Sequence, residues 1–194
     1  TMTGAKNISF EDIIFEDTCG IAVRMKDCEN VVFDNCEFRN RGQRAVSIDS
    51  GYDCGVKNSY VHDTGKGGIY MEGGDDINFT PSNNFVDNCH IERYSISCRT
   101  YGSAVKLYGV GNRMSHCLIN DGTHLAVQYN GIDNVAEYNE IYNVLKESHD
   151  AGVFYGGRTW TSKVTFRNNY IHDSGNMDLL SDDVWMTQAI YADD

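Results

Sequence analysis

Six short segments of this chain share one pattern: DNCEF (34–38), KNSYV (57–61), DNCHI (87–91), SHCLI (115–119), EYNEI (137–141) and RNNYI (167–171). EDIIF (11–15) is a degenerate earlier copy. Their last residues, Phe15, Phe38, Val61, Ile91, Ile119, Ile141 and Ile171, are separated by 23, 23, 30, 28, 22 and 30 residues. A second pattern follows in every unit: AVRMKD (22–27), AVSIDS (45–50), GIYMEG (68–73), AVKLYG (104–109), AVQYNG (126–131), GVFYGG (152–157) and AIYADD (189–194). It reads small, Val or Ile, variable, usually large and apolar, variable, turn residue. Such alternation marks a strand with one face buried. A unit this short cannot bury its own apolar face, so the units must stack on a continuous core. No helix-period segment interrupts them, which argues against leucine-rich or ankyrin repeats. The expected fold is all-β: a right-handed parallel β-helix of about seven coils, a single domain over 1–194.

Composition agrees. There are 19 Gly, 12 Tyr and one proline, Pro81, a mixture that favours strands and tight turns over long helices. Seven cysteines, an odd number with no CxxC pair, give neither a disulfide framework nor zinc-ligand spacing. The repeat accounts for three of them. Two residues before each aligned apolar end stand Ile13, Cys36, Ser59, Cys89, Cys117, Asn139 and Asn169. Period-two alternation turns these inward, so Cys36, Cys89 and Cys117 are expected as small core residues in a ladder.

A formal net charge of −12 repels nucleic acid and anionic membranes, so neither is expected as a partner. It also disfavours polyanions unless cations bridge them, which leaves neutral sugars favoured. No apolar run reaches the length of a membrane-spanning helix. TMTGAKNISFED (1–12) lacks the regions of a signal peptide. The chain begins in strand-like sequence and stops at AIYADD, so a piece of a longer protein, cut at both ends and carrying further domains, is expected. An extracellular or cell-surface bacterial location then requires a signal peptide upstream. Uncapped solenoid ends invite self-association.

The variable positions of the second pattern point outward. The first outward row is expected to read Arg24, Ser47, Tyr70, Lys106, Gln128, Phe154, Tyr191; the next, Lys26, Asp49, Glu72, Tyr108, Asn130, Gly156, Asp193. Aromatic, amide and carboxylate groups on a flat face suit sugar rings and hydroxyls. VLKESHDA (144–151) is the turn into this face; in KESHDAGVFYGGRTW (146–160), GVFYGG is the strand that follows, and Arg158 and Trp160 stand in the turn at its far end. His124 and Asp150 stand three residues before the aligned Val of consecutive units, one strand spacing apart, where an imidazole beside a carboxylate can move a proton. The plainer alternative is that Asp150 caps a turn and His124 only bonds to it. Glu147 and His149 are expected to face solvent.

From about Gly67 onward the chain resembles bacterial parallel β-helix carbohydrate-active enzymes, and most nearly glycoside hydrolase family 141, which includes α-L-fucosidase and xylanase activities. GVGNR (109–113), the Asp-Ala-Gly of DAGVFYGGR (150–158) and AIYADD (189–194) carry the resemblance. It implies cofactor-free hydrolysis of a carbohydrate by paired carboxylates. Asp150 matches the strongest acidic motif, and Asp193 and Asp194 match the other. His124, Arg158, Trp160, Lys106, Gln128 and Tyr191 then bind substrate. Two departures stand out: Thr159 replaces an acidic residue of a Gly-Arg-Asp-Trp motif, and THLA (123–126) replaces Pro-His-x-Ala.

Two other functions fit the same scaffold. A polysaccharide lyase or uronate epimerase needs a base and a cation or Arg for the uronate carboxylate, roles open to Lys106 and Arg113; no concentrated Asp cluster with calcium spacing is present. The third reading is a non-catalytic glycan-binding module, since a fold alone never proves an activity.

Overall fold

The computed structural model describes residues 1–148, 150–157, 163–175 and 187–193. Among the described residues the chain is a solenoid of parallel strands with no α-helix. Each coil contributes one strand to each of three sheets of eight, seven and seven strands, here A, B and C. Sheet A holds the second sequence pattern, in strands such as Arg44–Asp49, Gly67–Gly73, Val105–Gly109, Val127–Tyr129, Gly152–Gly157 and Gln188–Asp193. The first sequence pattern is not a strand. It is the corner from sheet B to sheet C plus the start of the sheet C strand.

The aligned apolar column is in register throughout: Phe15 pairs with Phe38, then Val61, Ile91, Ile119, Ile141 and Ile171, coil upon coil in sheet C. Phe38, Val61, Ile91, Ile119 and Ile141 are fully buried. Burial of each such side chain contributes about 1.5–3 kcal/mol. Aromatic stacking reinforces the first coils, with Phe10 on Phe33 at 4.6 Å and Phe15 on Phe38 at 4.9 Å between ring centroids.

The corners explain the Asn and Asp content. From B to C the chain turns at Asp12, Asn35, Asn58, Asn88, His116, Tyr138 and Asn168, each with φ between 50° and 58°. Asn and Asp tolerate this left-handed region because their short polar side chains bond locally. The side chains also bond along the stack, Asn35 donating to Asp12 at 2.6 Å and Asn88 to Asn58 at 2.8 Å. The next residue of each corner turns inward. There Cys36, Cys89 and Cys117 are buried, and the amides continue the ladder: Cys117 N–H donates to Asn139 Oδ1 (2.9 Å), and Asn139 Nδ2 to Asn169 Oδ1 (2.8 Å). All seven cysteines are unpaired thiols.

One expected register is corrected. Val127 pairs with Phe154, not Val153, and Phe154 pairs with Ile190. Phe154 is therefore inward, 0% exposed and packed on Phe166, whereas Tyr155 takes its place in the outward row. Gly157 correspondingly replaces Gly156 opposite Asp193. The choice follows from packing. A Cβ on Gly156 would lie 2.5 Å from the Tyr129 ring, so glycine is needed where that ring crosses the strand.

Candidate functional site

The outward face of sheet A carries two rows set by strand pairing. Tyr70, Lys106, Gln128, Tyr155 and Tyr191 follow one another on successive coils, and Glu72, Tyr108, Asn130, Gly157 and Asp193 run beside them. Successive coils are ~4.8 Å apart. A pocket of ≈ 230 Å³ opens on this face, lined chiefly by Tyr101, Tyr108, Gln128, Asn130, Tyr155 and Asp193.

Lys106 stands half-buried between Tyr70 and Gln128, its ammonium 6.0 Å from the centre of the Tyr108 ring. Burial, aided by the charges of Arg44 and Lys66, lowers its pKa to about 8. Arg44 lies over the Tyr70 ring at 5.3 Å. Among the described residues none of these three cations forms an ion pair, although most Lys and Arg of the chain do. In a protein of net charge −12, three cations outside any ion pair stand close enough to act on one another, with Glu72 the neighbouring carboxylate. Tyr70 and Tyr108 meet edge to face at 5.7 Å; burial raises the pKa of both phenols and keeps them protonated. The Tyr70 hydroxyl donates to Glu72.

The two acidic candidates that can be placed are held by different tyrosines. The Tyr155 hydroxyl donates to Asp193 at 2.6 Å, and the Tyr191 hydroxyl to Asp150 at 2.9 Å. The two rings meet edge to face at 5.5 Å. Asp193 lines the pocket; Asp150 is exposed at φ 51°. Gly152 to Gly157, paired with Gln188 to Asp193, spans ~17 Å of extended strand, and Asp150 lies beyond its near end. The chain turns at Asp150 through a left-handed φ of 51°, and its carboxylate reaches back to the Tyr191 hydroxyl.

The expected equivalence of His124 and Asp150 is also corrected. His124 carbonyl accepts from Leu145 N–H (3.2 Å), yet Ala126 N–H donates to Val153 (3.1 Å). Eight residue steps on one coil thus face two on the other, and the surplus carries Asp150 out on a bulge. His124 is 6% exposed, packs against Tyr101, and its Nδ1 has no partner among the described residues. Burial lowers its pKa to about 4, so it is neutral at physiological pH. It forms no proton-transfer pair with Asp150.

Gln128 lines the pocket with its Oε1 buried and unpartnered, and Tyr191 sits in the outward row as expected. Arg158, Trp160 and Asp194, together with His149 and Thr159, lie outside the described residues. Glu147 is ion-paired with Arg99. Arg113 is in sheet B, bound to Glu137 at 2.5 Å, and cannot serve the sheet A face. The cations beside Lys106 are instead Arg44 and Lys66. The sequence does not single out Arg44, which stands at the mouth of a strand, before the alternating positions begin.

Comparison with known proteins supports the architecture. The profile of the family described as "Right handed beta helix region" matches residues 1–130. No curated protein matches. Among solved structures, the Azotobacter vinelandii mannuronan C-5 epimerase AlgE6 A-module superposes with a TM-score of 0.53 at 12% identity, over 97% of this chain. This chain spans 58% of that module.

Proposed function

We propose a function from one premise: the chain belongs to the right-handed β-helix family. The face of sheet A around Lys106 acts on a uronate-containing polysaccharide by removing the C5 proton, the chemistry of a lyase or an epimerase. The observation that carries this reading is the convergence of Lys106, Arg44 and Lys66, none of them in an ion pair among the described residues, on a face rimmed by tyrosines where the neighbouring carboxylate, Glu72, is bonded to Tyr70. The name of the AlgE6 module, a C-5 epimerase of mannuronan, supports the same chemistry.

In this scheme Arg44 and Lys66 hold the uronate carboxylate and offset the charge that builds on it as the C5–H bond breaks. The neutral Lys106 amine takes the proton. In a lyase the electron pair left at C5 forms the C4=C5 double bond and expels the C4 oxygen, which takes a proton from a phenol such as Tyr108. In an epimerase C5 is instead reprotonated from the opposite face by a water molecule, and the hydroxide left behind takes back the proton held on Lys106. Either way the charges balance within the site.

A second reading, glycoside hydrolysis, keeps one supporting observation, the Asp193 carboxylate in the pocket. Its two carboxylates would be Asp193 and Asp150, which are held by the neighbouring tyrosines Tyr155 and Tyr191 rather than by one another, and glycosidase carboxylates work ~5–9.5 Å apart. Incubation with polyuronates in deuterated water separates the readings. Deuterium at C5, or an unsaturated product absorbing in the near ultraviolet, is expected. New reducing ends with neither signal would replace the proposal with hydrolysis.

A further inference from the structure

We infer, resting on the reading just given, that the substrate presents a uronate next to uncharged sugars rather than an unbroken run of uronates. The chemistry of the sheet A face changes from coil to coil. The Gly67–Gly73 and Val105–Gly109 strands bring Tyr70 and Lys106 together, with Arg44 and Lys66 alongside, three cations against the carboxylate of Glu72, which the Tyr70 hydroxyl holds. One coil on, the outward pair is Gln128 and Asn130, two amides that line the pocket. The following two coils carry Tyr155, Tyr191 and Asp193, with Asp150 bonded to Tyr191.

A glycan laid along the solenoid axis meets roughly one coil per pyranose ring, because coils repeat every ~4.8 Å. Its carboxylate-bearing ring then rests over the cations. The neighbouring ring faces amides, which bond hydroxyls equally well as donors or acceptors. Beyond it lie aromatic faces that stack on sugar C–H groups. A second carboxylate in those positions meets Asp193 and Asp150 instead of a cation. Every described Lys or Arg near this end is already paired: Lys146 with Asp121 (2.7 Å), Lys163 with Asp133 (2.6 Å) and Arg99 with Glu147. Like charges at such separations repel in a partly desolvated groove. The cationic end therefore demands one negative charge, and the acidic end rejects the next.

Methyl esterification tests this because it removes uronate charge without altering the sugar or its linkage. Hexamers of galacturonate, mannuronate and guluronate, each prepared fully charged, partly methyl-esterified and fully esterified, are titrated calorimetrically into the protein. On the backbone that binds, the partly esterified form is expected to bind at least tenfold more tightly than either extreme. Asp193→Asn should narrow the gap between the partly esterified and fully charged forms at least threefold. The tightest binding by the fully charged form overturns the inference and leaves the C5 reading standing. Tightest binding by the fully esterified form, or no binding on any backbone, overturns the C5 reading as well.

Discussion

Lys106 and Tyr108 project from one strand to the same outer face, the ammonium 6.0 Å from the ring centre. Tyr108 helps to shield the amine from water, and the lowered pKa of about 8 follows chiefly from that burial. A lysine base must shed its proton first. Turnover of a uronate substrate should therefore rise with pH up to about 8 and then level. Lys106→Gln should remove that limb and lower kcat by roughly 10²–10⁴-fold, the usual contribution of a general base. A flat profile through this window excludes Lys106 from the chemistry.

Asp150 distinguishes the competing mechanisms. Bonded to Tyr191 on the bulge, it orients a tyrosine at the acidic end of the groove. Asp150→Asn, measured by initial rates, should cost less than about tenfold in kcat, because an amide still accepts the phenol proton. A loss of several orders of magnitude would restore it as one of two glycosidic carboxylates.

His124 sets an acid limit on stability. Its folded pKa of about 4 lies below the ordinary 6.5, so between these values the unfolded chain binds more protons and stability falls as pH drops. The full loss is ~3 kcal/mol, complete near pH 4. Denaturant melts at pH 7 and pH 4 should show a smaller difference in His124→Leu than in the parent; an equal difference would mean the imidazole is hydrated in the folded state.

The thiols can be counted directly. Cys19 is exposed and Cys98 half-buried, whereas Cys28, Cys36, Cys54, Cys89 and Cys117 are buried. A thiol reagent should react quickly with two groups in the native protein and with all seven after denaturation, and reductant should leave the melting temperature unchanged. Fewer than seven thiols in the unfolded, unreduced chain would reveal a disulfide.

The inward ladder has a measurable cost of disruption. Asn139 joins Cys117 above to Asn169 below through three hydrogen bonds. Asn139→Ala should destabilise by ~1–3 kcal/mol, since it leaves the buried Cys117 N–H unmatched while the Asn139 backbone N–H still reaches Asn169. Equilibrium denaturation reads this out, and a change below ~0.5 kcal/mol would mean the stack does not depend on its amides.

The column from Phe15 to Ile171 was legible because one large apolar residue per coil, two after a small inward one, admits a single register. GVFYGG was not. Val153 and Phe154 are both apolar and glycines flank them, so alternation alone cannot choose between them; the Tyr129 ring over Gly156 decides. The outward rows, and with them Lys106, Gln128, Tyr191 and Asp193, could be read from period two. The pairing of charges could not. Arg113 looked available until Glu137, from the next coil, was found against it, and Arg44 and Lys66 gain meaning only because stacking sets them beside Lys106.

The detour between Leu145 and Val153 leaves the strands on either side of it in step. Recarving that corner would give up only the backbone bonds that Leu145, Lys146 and Glu147 make to the coil before it, much as a shelf bracket can be exchanged without disturbing the wall. A lineage built this way can acquire new sugar preferences by rewriting its elbows while its rungs stay as they are.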